Sequence, residues 1–466
     1  MTPPRANSAA ARDIAYALHP YTDLKTHQET GPLVIARGKG VRVYDEAGKD
    51  YIETVAGLWC AALGFDNERL VQAAAKQMRS LPFYHGFTGL SHNPMIDLSE
   101  MIIQRAPVPM SKAFFANSGS EANDTAVKMV WYFNNALNRP NKKKIIGRIR
   151  GYHGITIASG SVTGQVANHR AFDLPLPDRF LHTICPTFYH GGLPGETEEA
   201  FASRCAEELE KLILANDPDT IAAMFAEPIM GAGGVVVPPK GYFPKIQAVL
   251  KKYDILLVAD EVICGFGRTG NYWGCQTLDI EPDILTCAKA ITSSFLPLSA
   301  VLINERVFQG LAEKSHEIGT FGHGYTYSGH PVSAAVAVET LKIYDEMNII
   351  DHVREVGTHF QAELRRRYAD HPLVGEVRGV GLIAGIELVK DKAKKENFDP
   401  SSKVGPKLMN IGRQHGLICR AMVNDSIGFS PPLIITTAEC DEMLDRFDKV
   451  LSDLSAQLRR EQISVV

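Results

Sequence analysis

Residues 254–289 read DILLVADEVICGFGRTGNYWGCQTLDIEPDILTCAK, and the reading of this stretch decides the fold. It opens and closes on near-continuous apolar runs, DILLVADEV (254–262) and DILTCA (283–288). Runs of this length without polar alternation are strands covered on both faces, as in a parallel sheet between helices. Similar runs recur on either side: KAFFA (112–116), KKIIGRI (143–149), IAAMFAEPI (221–229) and LSAVLI (298–303). Helical periods separate several of them, in EANDTAVKMVWYFNNAL, EEAFASRCAEELEKLILA and KGYFPKIQAVLKKY. Strand–helix alternation predicts an α/β sheet with helices on both sides.

Further out the character changes. Around residues 33–54, LVIARGKGVRVYDEAGKDYIE alternates apolar and polar positions about a DEAGK turn, which predicts a β-meander. A helix follows at about 68–80. Beyond SGHPVSAAVAVETLKIYDEM, a long helical region leads to LVGEVRGVGLIAGIELV, GLICRAMV and SIGFSPPLII, then to a last helix at about 437–460. This reads as a smaller α+β domain packed with the amino-terminal meander. The expected division is an amino-terminal segment over 1–69 belonging to the small domain, a large domain over 70–335, and a small domain over 336–466. Residues 390–404 read as a polar loop.

A chain of 466 residues is long enough for two packed lobes. Its 49 Lys and Arg against 53 Asp and Glu leave a formal charge of -4. That excludes the basic excess a nucleic-acid or membrane-surface protein wants. The eight cysteines include no CxxC pair, which predicts reduced thiols and a cytoplasmic protein. The first twenty residues, MTPPRANSAAARDIAYALHP, carry Arg5 and Arg12 but no apolar core of signal-peptide length, and read as a surface arm leading into a short helix. Stretches of about 18 or more apolar residues, the mark of a membrane span, are missing.

The chemistry-bearing pattern is an acid at one strand end and a lysine just after the next. Asp260 closes DILLVAD, and Lys289 follows DILTCA. Ligands of open α/β sheets bind at the carboxyl ends of strands, so both side chains would reach one crevice. A desolvated lysine amine can attack an aldehyde, and an aspartate can keep a pyridine nitrogen protonated. By spacing alone, a surface lysine and a strand-capping acid remain the ordinary reading. A second element is Asn117-Ser118-Gly119-Ser120-Glu121-Ala122, which follows KAFFA and opens a long helix. Its backbone N–H groups and hydroxyls would suit a phosphate, although a plain helix cap reads the same way. The third is Gly151-Tyr152-His153-Gly154, whose tyrosine could stack on a flat ring or simply pack in a turn.

Taken in order with their surroundings, these pieces resemble the class III aminotransferases, and within them the ω-transaminases that act on amines and ω-amino acids. The resemblance runs from about residue 18 to the end. It is carried by Ala56-Gly57-Leu58-Trp59, FFANSGSEANDTAVK, GYHG, AEPIMGAGGVVVPP, LLVADEVICGFGRTG, Cys287-Ala288-Lys289 and GHGYTYSGHP. The resemblance implies an aspartate-aminotransferase-like fold of type I, with a large, mainly parallel sheet domain and a smaller α+β domain. It implies pyridoxal 5'-phosphate as cofactor, passing through pyridoxamine 5'-phosphate, and a ping-pong transfer from an amine or ω-amino acid to a keto acid such as pyruvate. Lys289 would hold the cofactor as a Schiff base and shuttle the proton, and Asp260 would pair with the pyridine nitrogen. Ser118, Gly119 and Ser120 would bind the phosphate. Tyr152 and Val262 would flank the ring, with His153 and Glu227 beside it. Thr326 would reach the phosphate of a neighbouring subunit, which implies a homodimer with shared sites, or a tetramer. Tyr21, Trp59, Phe87 and Tyr152 would line the substrate pocket. Arg420 would clamp a substrate carboxylate and swing away for uncharged amines.

The strip after the lysine departs from the family. Ala290, Ser294, Phe295 and Ser299 stand where relatives often carry Gly, Gly, Tyr and Gly, and three lost glycines make the backbone less permissive. Other readings fail. Gly265-Phe266-Gly267-Arg268-Thr269-Gly270 matches a dinucleotide fingerprint, but no helical period follows it. His182, His190, His323 and His330 lack metal spacing, so no metal is expected. Two alternatives stay open at this stage. One is another pyridoxal-phosphate reaction on the same fold (aminomutase, racemase or decarboxylase), and the other is a non-catalytic relative.

Overall fold

The structure is a computed structural model that describes residues 7–465; Arg5, counted above in the amino-terminal arm, lies outside them. Its centre is a sheet of seven strands: β4 (Lys112–Ala116), β5 (Lys144–Arg148), β6 (Phe180–Thr183), β7 (Ile221–Ala226), β8 (Leu256–Asp260), β9 (Ile284–Cys287) and β10 (Ser299–Ile303). Their order is β4-β10-β9-β8-β7-β5-β6, with β10 antiparallel to both its neighbours and the other pairs parallel. β7, β8, β9 and β10 are buried along their whole length, which is why they read as unbroken apolar runs. Successive residues supply opposite faces: Phe225 and Val258 pack with the helices Gly119–Ala136 and Glu305–Ile318, whereas Met224 and Leu257 pack with Glu198–Ala215 and Tyr242–Lys252. The strand the sequence does not announce is β6. It has only four residues, two buried and two half-buried, at the sheet edge.

The amino-terminal meander is formed by β1 (Ile35–Lys39), β2 (Arg42–Asp45) and β3 (Asp50–Glu53). Its strand β3 pairs in parallel with the two-residue strand Leu417–Ile418. A third sheet holds Val374–Val380, Ile383–Leu388, Ser426–Phe429 and Arg420–Ala421, backed by the helices Ile349–Tyr368 and Thr437–Arg460. Residues 265–270, set aside as a dinucleotide fingerprint, form turns. There the buried Arg268 donates to the carbonyl of Leu382 at 3.0 Å and also to that of Pro431, tying this loop to the third sheet. Among the described residues, no helix is long and apolar enough to cross a membrane.

Candidate active site

β8 and β9 are parallel neighbours, with Asp260 in register with Thr286. Asp260 therefore ends its strand beside the place where Lys289 leaves β9, at the carboxyl end of the sheet. Asp260 is 3% exposed and fully engaged. Its Oδ2 accepts from Asn123 Nδ2 and from His153 Nδ1, both at 2.8 Å, and its Oδ1 accepts from the Val262 N–H at 3.1 Å. Asn123 is itself fixed, because its Oδ1 accepts from the Thr286 hydroxyl at 2.9 Å and its Nδ2 also reaches the His153 carbonyl. A carboxylate held this way cannot turn from the cavity it faces without losing several buried hydrogen bonds, each worth about 1 kcal/mol. With Nδ1 committed to Asp260, the buried His153 Nε2 has no partner.

Lys289 opens a short 3-10 turn, Lys289–Thr292, in the left-handed region at φ 53°. Its ammonium lies 5.6 Å from the Trp59 ring centroid. Burial pushes the amine below its ordinary value, against the opposing charge of Asp260. Both residues face one cavity of about 140 Å³, which Gly119, Ser120, Tyr152, His153, Glu227 and Val262 also line.

The opposite wall is the start of the helix Gly119–Ala136, whose first N–H groups have no partner within the helix. Gly119 suits the close packing there, since a Cβ would stand 3.2 Å from the Val262 side chain. Ser120 Oγ accepts from the Ile155 N–H at 3.2 Å and stands in the cavity wall. Ser118 does not line the cavity; its hydroxyl caps the helix by accepting from Glu121 N–H at 3.2 Å. Glu227 supports the Tyr152 turn, its Oε1 accepting from Tyr152 N–H and its Oε2 from Gly231 N–H, each at 3.0 Å. Burial raises its carboxyl, against the nearby His153 and Arg148.

At the mouth, Arg420 lies 5.0 Å above the same Trp59 ring. Burial, with the neighbouring Tyr21 adding to it, raises the Tyr152 phenol. Tyr21 Oη accepts from Asn168 Nδ2. Burial lowers the Arg420 guanidinium, offset by Tyr152, Tyr21 and Glu53. So Tyr21, Trp59, Tyr152 and Arg420 lie together on the Lys289 side of the site. Phe87 and Thr326 do not. Phe87 lines a separate cavity of about 640 Å³ with Gly324 and Ser328, and Thr326 is exposed beside it.

The strip that departs from the family shows its cost here. Ser293 and Ser294 both sit in the left-handed region, at φ 48° and 59°, where a side chain costs about 1–2 kcal/mol. Ser293 is held there by accepting the Leu63 N–H at 2.8 Å. The buried Ser299 hydroxyl has no partner. Sequence reasoning missed Asn123 and Thr286, which carry the Asp260 network. Asn123 lies one helical turn past Gly119, on the same face, and that spacing could have found it.

The donor set fits one kind of ligand. A fixed acid would meet a basic ring nitrogen, a desolvated amine an electrophilic carbonyl, and a helix start an anionic phosphate. Tyr152 and Val262 line the same cavity, and with these groups the residues present fit pyridoxal phosphate.

Comparison with known proteins agrees. Residues 24–451 match the family described as Aminotransferase class-III. The chain is 49% identical over 453 residues to gamma aminobutyrate transaminase 3, chloroplastic, of Solanum lycopersicum, covering 96% of this chain and 86% of that protein. Its fold matches the omega transaminase from Pseudomonas jessenii in complex with PMP, with a TM-score of 0.95 at 54% identity over 97% of this chain and 99% of the other. A thermostable omega transaminase variant engineered for asymmetric synthesis of enantiopure bulky amines matches with TM-score 0.95 at 53% identity, over 97% and 100% of the two chains.

Proposed function

The chain belongs to the class III aminotransferases, pyridoxal-phosphate enzymes of fold type I, and from that premise we propose a reading of its site residue by residue. The reaction is amino transfer from an amine or ω-amino acid to a keto acid, and pyruvate is the acceptor we assign. Pyridoxal phosphate, when bound, supplies an electrophilic carbon and a ring that takes up the electron pair left on the substrate carbon. Lys289 Nζ would hold that group covalently; once the substrate amine displaces it, the freed amine would take the proton from the substrate carbon and return it at the neighbouring position. Asp260 Oδ holds a proton on the ring nitrogen, and Asn123 and His153 keep the carboxylate aimed. Gly119 and Ser120 hold the phosphate, and Tyr152 and Val262 clasp the ring. Arg420 binds the carboxylate of the keto acid or ω-amino acid in the first or second half-reaction, while Trp59 and Tyr21 line the apolar side.

The observation that carries this reading is the convergence of Lys289, Asp260 and a helix start on one cavity. We also infer a homodimer in which Phe87 and Thr326 complete the neighbour's site. Eight free cysteines support a reducing compartment such as the cytoplasm. The test supplies purified protein with pyridoxal phosphate, pyruvate and a panel spanning γ-aminobutyrate, β-alanine and arylalkyl amines, and follows alanine. Alanine should form with at least one donor, and Lys289→Ala should abolish it while the fold is retained. Cofactor binding without alanine from any donor would overturn the acceptor assignment, and normal turnover by the variant would overturn the lysine.

A further inference from the structure

The amino-terminal arm carries Tyr21 to the mouth of the site, yet little in its own subunit holds it there. Its two helices, Ala9–Tyr16 and Leu24–Thr30, contribute no buried residue. Three side chains close the arm on itself: Asp13 from the first helix, His19 from the connection and His27 from the second helix. Their ligand-type atoms all lie within 4.8 Å of one another. His19 Nε2 is 2.9 Å from both Asp13 oxygens, and His27 Nε2 is 2.9 Å from Asp13 Oδ1. The two imidazole rings lie 4.3 Å apart. All three residues are half-buried, and among the described residues Asp13 pairs with no Lys or Arg.

We propose that Asp13, His19 and His27 bind a divalent transition-metal ion of the zinc class, which staples the arm and so fixes Tyr21. Two imidazole nitrogens and one carboxylate are a borderline-soft donor set that zinc prefers over calcium or magnesium. With metal–ligand bonds of about 2.0–2.1 Å, the corners of a tetrahedron lie about 3.3 Å apart. Each imidazole nitrogen, 2.9 Å from the carboxylate, needs to draw back from it by only a few tenths of an ångström to accept the ion, with water at the fourth corner. One carboxylate and two neutral imidazoles leave the ion a single positive charge. A small segment without a core of its own is where a metal contributes most to order. The spacing Asp13, His19, His27 matches no short helical metal motif, which is why the sequence does not display it.

The experiment uses the pyridoxal-phosphate-loaded protein, stripped with a chelator, dialysed against zinc chloride and assayed for bound metal. One zinc per chain is expected in the unaltered protein, with affinity falling at least about 10-fold in Asp13→Asn and in His27→Gln. Trypsin cleavage at the exposed Arg12 and Lys25 reads the staple directly. Zinc at a hundred times its Kd should slow it about 100-fold in the unaltered protein and leave both variants unprotected. Substoichiometric zinc, or equal binding by the variants, which would put the metal on thiols such as Cys60 or Cys185, overturns the proposal. The metal content does not depend on the aminotransferase reading, so the two can fail separately.

Discussion

Arg420 is a charged side chain in an apolar setting, half-buried and lying over Trp59. Burial without an ion-paired carboxylate is a cost that a carboxylate substrate would relieve, and Glu53 offsets it only in part. Burial raises the Glu53 carboxyl to about 8, and its Oε1 is spent on the Val55 N–H at 3.1 Å. A charge-assisted bond to substrate is worth about 1.5–3 kcal/mol, so Arg420→Ala should lower kcat/KM for pyruvate by about 10- to 100-fold. The half-reaction with an uncharged arylalkyl amine, followed separately by stopped flow, should change little. Equal losses for both would mean that Arg420 supports the pocket wall instead of binding carboxylate. At this scale the sequence was partly legible. Lys289 and Asp260 could be placed at one crevice from their strand ends, but an acid and a lysine at that spacing are common, and only the resemblance implied their roles. Asn123 could not, because its role exists only once the fold brings it 2.8 Å from Asp260.

The helix Gly119–Ala136 joins sheet and site, and its two serines divide the work. Ser118 caps the helix, whereas Ser120 faces the cavity. Losing a cap costs about 1 kcal/mol. Ser118→Ala should therefore lower the unfolding free energy of the apoprotein by about that amount while barely changing cofactor affinity. Ser120→Ala should do the reverse, weakening pyridoxal phosphate without a comparable loss of stability. Titrations of the cofactor and urea melts of both variants read the split, and the same pattern in each would erase the distinction. Elements of this kind were legible because their patterns are strong. The helix Glu198–Ala215 was read to the residue, and the buried strands announced themselves as apolar runs. Leu417–Ile418 and Arg420–Ala421 were not separable, since two residues carry no periodicity and only their partners define them as strands.

The molecule as a whole shows a surface that one subunit does not explain. Phe83, Tyr84, Phe87, Leu90 and Tyr327 are each about two-fifths exposed or more, at 39%, 43%, 43%, 41% and 58%. The rings touch in series, with Phe83 against Tyr327 at 5.9 Å and His85 between Tyr84 and Phe87. A contiguous aromatic patch of this kind on a chain of balanced charge marks an association surface. Phe87 and Thr326 lie in it or beside it, away from their own Lys289, which is the arrangement a shared site requires. In the two-fold dimer we propose, each site would take its lysine from one chain and Phe87 and Thr326 from the other. Chains carrying Lys289→Ala should be inactive alone, and so, by this reasoning, should chains carrying Phe87→Ala with Thr326→Ala. Refolded together in equal amounts, half of the dimers are mixed, and each mixed dimer has one site built entirely from unaltered residues. Activity should return to about a quarter of the unaltered level. If each site were complete within one chain, mixing would restore nothing, because every chain would still carry its own defect.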